Sequence, residues 1–147
     1  MNRKITKIDI ITRPAKLEEL KDALNAIGVL GMTVSQVYGC GLQRGHKEFF
    51  RGHEYEVNLV PKIKVETVVC EIPVEKVLEV AQNVLRTGKF GDGKIFVYEL
   101  SDAVRIRTGH RGAAAIMDIR RHFRKKDTGT SEILRRFRLS GRRPHNP

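Results

Sequence analysis

Two stretches of helical periodicity, each opened by a proline and followed by a glycine, lie among four β-prone runs. That order admits few folds. Leu17, Leu20, Leu24 and Ile27 recur at spacings of three and four behind Pro14, and Gly28 follows them. Behind Pro73 the apolar face is Val74, Val77, Val80, Ala81 and Val84, with Gly88 as the expected stop. Proline fits the first helical turn, where its missing N–H is not needed, and glycine takes up the left-handed conformation that ends helices. Residues 4–12, 32–38, 57–72 and 94–100 are rich in Val, Ile and aromatic residues and predict strands. The order βαββαβ predicts an α+β chain: a ferredoxin-like sandwich with both helices on one face of the sheet.

The 147 residues suffice for one domain with a core of its own. Cys40 and Cys70 lack CxxC spacing and predict free thiols in a reducing compartment. The longest apolar run is 113–117, so neither a secretory signal nor a membrane span is expected, and the chain is predicted to be cytoplasmic. Charge is uneven. Residues 118–147 hold ten Lys/Arg against Asp118, Asp127 and Glu132, which is +7 of the chain's +11. The core, residues 1–117, is therefore only mildly basic, and the extension is where an anionic partner is expected.

Between the second and third strands the chain spends about eighteen residues, where a hairpin usually needs two to five. This connection, about 39–57, alternates charge with aromatic groups: Arg44, His46, Lys47, Glu48, Phe49, Phe50, Arg51, His53, Glu54 and Tyr55. It predicts an interaction arm, with a β-hairpin packed on its own aromatics as the plainer alternative. Three features could meet an anion. Gly88, Gly91 and Gly93 stand close together ahead of Lys94, Gly39, Gly41 and Gly45 lie at the root of the arm, and Arg105 and Arg107 precede Gly109. Glycine lets backbone amides converge on a ligand, although a bare Gly-Asp-Gly also serves as a hairpin turn. His46 and His53 lack the company of a zinc site. No nucleophile, base and acid grouping predicts an enzyme.

Taken in order, Gly31-Met32-Thr33, the loop 39–46, Arg51-Gly52, Glu54-Tyr55, Pro61-Lys62-Ile63-Lys64, residues 87–97 and Val104-Arg105-Ile106-Arg107-Thr108-Gly109 resemble the PII signal-transduction family over residues 3 to about 117. The resemblance implies a homotrimer that senses ATP, ADP and 2-oxoglutarate in clefts between subunits and acts on nitrogen-metabolism targets. By that similarity Gly91, Asp92, Gly93 and Lys94 hold phosphates, and Arg105 and Arg107 pair with phosphates from the neighbouring subunit. The alternation of Arg105 and Arg107 predicts an extended segment with both guanidiniums on one side. Thr33, Gly39 and Gly41 are implied on the adenine and ribose side. Gln43 is implied as the protein ligand of a Mg²⁺ that bridges ATP to 2-oxoglutarate. Lys62 is implied to pair with the distal carboxylate of 2-oxoglutarate, with backbone around Arg44 and Gly45 adding donors and Arg13 close by.

Some positions depart from the family pattern. Leu42 stands where relatives often carry arginine, and Phe50-Arg51-Gly52-His53-Glu54-Tyr55 alters the flank of a modifiable tyrosine. Tyr55 remains as the modification candidate. Arg51 matches the residue by which relatives engage an ammonium transporter, which would bring the protein to the membrane through that partner. Residues 118–147 lie outside the resemblance. The rival class is a ferredoxin-like RNA-binding module using the basic tail. Its aromatic motif, however, would fall on the fourth strand, Lys94-Ile95-Phe96-Val97-Tyr98, instead of the third.

Overall fold

The computed structural model describes residues 3–40, 47–50, 53–56 and 59–117, and for 47–50 and 53–56 the backbone path alone. The chain divides into two units, Met1–Ile116 and Met117–Pro147. Residues 118–147 lie outside the described residues, and the described helices and strands all belong to the first unit.

Strand β1 (Ile5–Thr12) leads through a 3₁₀ turn at Pro14–Lys16 into helix α1 (Leu17–Ala26). Strand β2 (Thr33–Gly39), the short strands β3 (Lys47–Phe50) and β4 (His53–Glu56), and β5 (Val60–Val69) follow. Helix α2 (Val74–Leu85), β6 (Lys94–Leu100) and a last turn of helix, α3 (Ala113–Ile116), complete the unit. Four strands form one antiparallel sheet in the order β2-β5-β1-β6. This is the ferredoxin-like arrangement expected from βαββαβ.

Alternation decides which residues meet the helices. Ile8 and Ile10 of β1 and Ile63, Val65 and Val69 of β5 are buried against Leu20 and Leu24 of α1 and Val77, Ala81 and Leu85 of α2. The four-residue spacing within each helix keeps those side chains on one stripe. Fully burying each large aliphatic side chain contributes about 1.5–3 kcal/mol. Helix α1 ends as expected: Gly28 at φ 97° donates to Asn25 O at 3.0 Å, and Val29 donates to Leu24 O at 3.0 Å. Val29 then drops into the core, closing a Schellman cap.

Two boundaries differ from expectation. Helix α2 stops at Leu85, where Arg86 turns extended, so Gly88 (φ 80°) belongs to the loop beyond the helix and does not end it. The run 57–72 shortens to Val60–Val69 because Cys70–Ile72 bend toward Pro73. The long connection contains a hairpin, in which β3 and β4 pair antiparallel with Phe50 opposite His53 and Glu48 opposite Tyr55. Pro61 is tolerated in β5 because β1 pairs only from Ile63 onward, leaving β2 as the sole neighbour there.

Candidate functional site

At one end of the sheet, side chains from β1 and β5 reach the glycine-rich loop between α2 and β6. Arg13 follows directly on β1. It donates through Nη1 to the Asp92 carboxylate and through Nη2 to Phe90 O at 2.7 Å. Lys62, buried on β5, donates through Nζ to Gly91 O at 2.8 Å. Burial lowers the pKa of Lys62, and the Arg13 guanidinium nearby lowers it further. Two cations thus share Asp92 as their acidic neighbour, leaving a local surplus of positive charge.

The loop's own shape is set by Asp92 and two glycines. The carboxylate accepts the amides of Thr87 at 2.8 Å and Gly88 at 3.0 Å, together with the Thr87 hydroxyl. These bonds, first the Thr87 hydroxyl and then Arg13, hold Asp92 far below the usual carboxylate range. Buried Thr12 donates its hydroxyl to Asp92 O at 2.9 Å and pins the loop to the end of β1. Gly91 and Gly93 both sit in the left-handed region, at φ 98° and 99°. Backbone of this kind builds concavities of N–H groups that receive anions. Lys94, exposed, opens β6 opposite Ile11. A cavity of about 390 Å³ beside the loop is lined by Ile11, Gln82, Arg86, Asp92, Gly93 and Lys94, among others.

The sheet brings Arg13, Lys62, Gly91, Asp92, Gly93 and Lys94 together. Gly39 joins them at the end of β2, where a Cβ would stand 3.4 Å from Lys62 Cγ. Thr33 is exposed at the opposite end of β2, across from Glu66. Gly41, Gln43, Arg44, Gly45 and Arg51, like Leu42, lie outside the described residues, and Tyr55 is placed only by its register on β4.

Arg105 and Arg107 stand elsewhere. Strand β6 carries the chain about 20 Å from Lys94 to Leu100 at the usual rise per residue, and the arginines follow beyond it. They do not lie on an extended segment. Arg105 O accepts the amides of Thr108 and Gly109 at 3.2 and 2.7 Å, closing a turn in which alternation no longer sets side-chain direction. Arg105 Nε is bound to Ala115 O at 3.1 Å. Arg111 pairs with Asp102, and that carboxylate also accepts the amides of Ala103 and Gly112. Sequence reasoning missed Thr87 and Thr12. A threonine five residues ahead of an acid in a glycine-flanked loop was a readable signal, since aspartate often bonds local backbone there.

The family model for the nitrogen regulatory protein P-II matches residues 5–110. The chain belongs to the P-II family. It is 49% identical over 116 residues to the nitrogen regulatory PII-like protein of Bacillus subtilis, covering 79% of this chain and all of that one. Against a nitrogen regulatory protein P-II of Rhodospirillum rubrum the identity is 50% over 110 residues, 75% of this chain and 98% of that one. Two solved structures of Bacillus subtilis GlnK, one described as an ATP complex, are each 48% identical with a TM-score of 0.64. Both comparisons cover 76% of this chain, and 98% and 97% of those chains.

Proposed function

We propose that this P-II family member is a signal transducer, not an enzyme, that reads ATP or ADP together with 2-oxoglutarate and acts on nitrogen-metabolism targets through its 39–57 arm. The observation that carries the reading is that Arg13 and Lys62 both hold the loop of left-handed glycines 91 and 93, at Phe90 O, Asp92 and Gly91 O, with exposed Lys94 next in sequence. Left-handed backbone and a surplus of cations suit a polyphosphate beside a carboxylate ligand. The Bacillus subtilis GlnK described as an ATP complex supports the nucleotide.

Gly91, Asp92, Gly93 and Lys94 cradle phosphates, with Gly39 and Gly41 beside the base and ribose and Thr33, at the opposite end of β2, reaching that side from a second copy. Arg105 and Arg107, carried beyond the far end of β6, reach a nucleotide only if a second copy supplies them, and the likeness to the P-II family is why we read that assembly as a homotrimer. Lys62 and Arg13, with Gln43, Arg44 and Gly45, form the 2-oxoglutarate side. Mg²⁺ suits this arrangement as an ion carried by its ligands, with Gln43 as protein donor, because the Asp92 carboxylate is already committed to Thr87, Gly88 and Arg13. When bound, the ion would supply positive charge that offsets the negative charge of the phosphates and the keto acid.

Gly39 pairs with Val60 and Val37 with Lys62, so the two roots of the arm adjoin each other and Lys62 lies two residues inside them. A carboxylate that takes hold of Lys62 therefore acts at the base of the arm and biases its conformations. The arm carries Arg51 as a target contact, with an ammonium transporter or a nitrogen-metabolism enzyme as partner, and Tyr55 as a modification site. The protein is read as cytoplasmic, reaching the membrane through such a transporter. The basic extension 118–147 docks on an anionic partner.

Calorimetric titration with ATP and ADP, each with and without Mg²⁺ and 2-oxoglutarate, tests the reading, alongside sedimentation for the assembly. Nucleotide binding strengthened by 2-oxoglutarate and Mg²⁺ on a trimer is the expected result. A monomer indifferent to adenylates would overturn it.

A further inference from the structure

We infer that Asp92 is a positioning residue: its carboxylate fastens the glycine-rich loop in the shape that receives the polyphosphate, and Arg13 makes that carboxylate tolerable there. The inference rests on the nucleotide reading above and adds a role for two side chains within it.

A carboxylate inside a phosphate-binding loop is at first sight misplaced, because like charges repel at short range. Its bonding explains its presence. The side chain gathers the Thr87 amide, the Gly88 amide, the Thr87 hydroxyl and the Arg13 guanidinium, and so closes the loop from Thr87 to Asp92 upon itself. Its main-chain oxygen takes the buried Thr12 hydroxyl at 2.9 Å, which fixes the same residue to the end of β1. Side chain and backbone of Asp92 are thereby held at once, between two left-handed glycines that have no side chains to pack. Such a loop keeps its shape before the ligand arrives, so less ordering accompanies binding.

Arg13 bonds Oδ1 of this carboxylate while the loop amides bond Oδ2, and it also holds Phe90 O at 2.7 Å. Its charge cancels that of Asp92 where the phosphates would otherwise feel it. Arg13 therefore supports nucleotide binding through Asp92, in addition to its proposed place beside 2-oxoglutarate. Thr87 acts in the same way from the other end: its hydroxyl bonds Asp92 and also accepts the Lys89 amide at 3.3 Å.

The test is calorimetric titration of the full chain with ADP and with Mg²⁺-ATP, with thermal unfolding followed in parallel. Thr87→Val should weaken nucleotide binding about fivefold and Asp92→Asn about tenfold, as expected for loss of a neutral and a charged hydrogen-bond partner. Thr87→Ser, which keeps the hydroxyl, should restore wild-type affinity. Arg13→Gln should weaken binding about tenfold in the wild-type background and less than twofold when Asp92 is already Asn, since its partner is then gone. A purely structural role would move the melting temperature and affinity together and leave Arg13→Gln equally harmful in both backgrounds. That outcome overturns the inference, as do Thr87→Val and Asp92→Asn affinities within twofold of wild type. If Asp92→Asn fails to fold, the Thr87→Val and Thr87→Ser pair, differing by one hydroxyl, decides the matter. A wild-type chain that binds no nucleotide would refute the functional reading itself, a separate failure.

Discussion

Gly93→Ala puts the loop geometry to its hardest test. A Cβ on Gly93 would stand 1.7 Å from the Ile11 carbonyl oxygen, 2.8 Å from its carbon and 3.1 Å from Thr12 Cα. These are backbone atoms of β1, a strand flanked by β5 and β6, so no rotamer change makes room. Restoring even a 3.0 Å contact moves loop or strand by at least 1.3 Å. Alanine also resists a left-handed φ, at about 1–2 kcal/mol. Overpacking against fixed backbone adds about 1–3 kcal/mol. Displacing the exposed loop is easier than distorting a central strand, and it draws the loop amides away from the anion. Each lost hydrogen bond to a charged group costs about 1.5–3 kcal/mol, which is roughly 10- to 100-fold in Kd. Gly31→Ala is the control, with nothing within 4 Å and no left-handed backbone. Urea unfolding and ADP titration of both variants check the reasoning. It fails if Gly93→Ala matches Gly31→Ala within a factor of two in affinity and in unfolding midpoint.

Leu24, fully buried between α1 and the sheet, should cost about 2–5 kcal/mol on replacement by Ala, read from the urea midpoint. Glu66 is held below its ordinary 4.5 first by Lys7 and then by Lys64, so its contribution is complete above that value and lost as pH falls through the lower folded value. The melting temperature of Glu66→Gln should accordingly fall less steeply than that of the wild type between neutral and acidic pH, and equal slopes would contradict this. Deleting residues 118–147 removes a net +7 and should lower the salt needed to release the chain from heparin without changing nucleotide titration. Release at unchanged salt would mean the extension's charge does not reach a polyanion.

The main sheet and both long helices were legible because their periods are clean and their core residues fall on one stripe or one face. The hairpin in the arm was harder to read, since charged and aromatic residues alternate there without an apolar face. Gly52 next to Arg51 was the clue that a tight connection could fit. Arg105-Ile106-Arg107 mimics a strand in sequence, yet the Arg105 carbonyl draws the chain back on itself ahead of Gly109. The site was readable as residue types and not as contacts. Arg13 and Asp92 meet across 79 positions, and Lys62 and Gly91 across 29. No spacing rule reaches that far; only the order β2-β5-β1-β6 brings those strand ends side by side.

The open face of the sheet bears on the proposed assembly. Lys7, Asp9, Lys64 and Glu66 form a square of two cations and two anions on β1 and β5, with separations of 2.6 to 3.3 Å. Asp9 is buried, and its Oδ1 has no hydrogen-bond partner although the Lys7 amine lies 3.3 Å away. Alternation places Phe96 beside Asp9 and Tyr98 beside Lys7, both side chains still half-exposed. The Lys7 amine stands 5.8 Å from the Tyr98 ring centroid. A neutral square edged by aromatic rings can be covered without stranding a charge, whereas an unbalanced cluster could not. Ile106, 99% exposed between the two arginines, is an apolar tip that no other described residue covers. Charge balance on the sheet and an isoleucine left exposed on the arginine turn are compatible with the proposed assembly, in which further copies of the same chain would close this face.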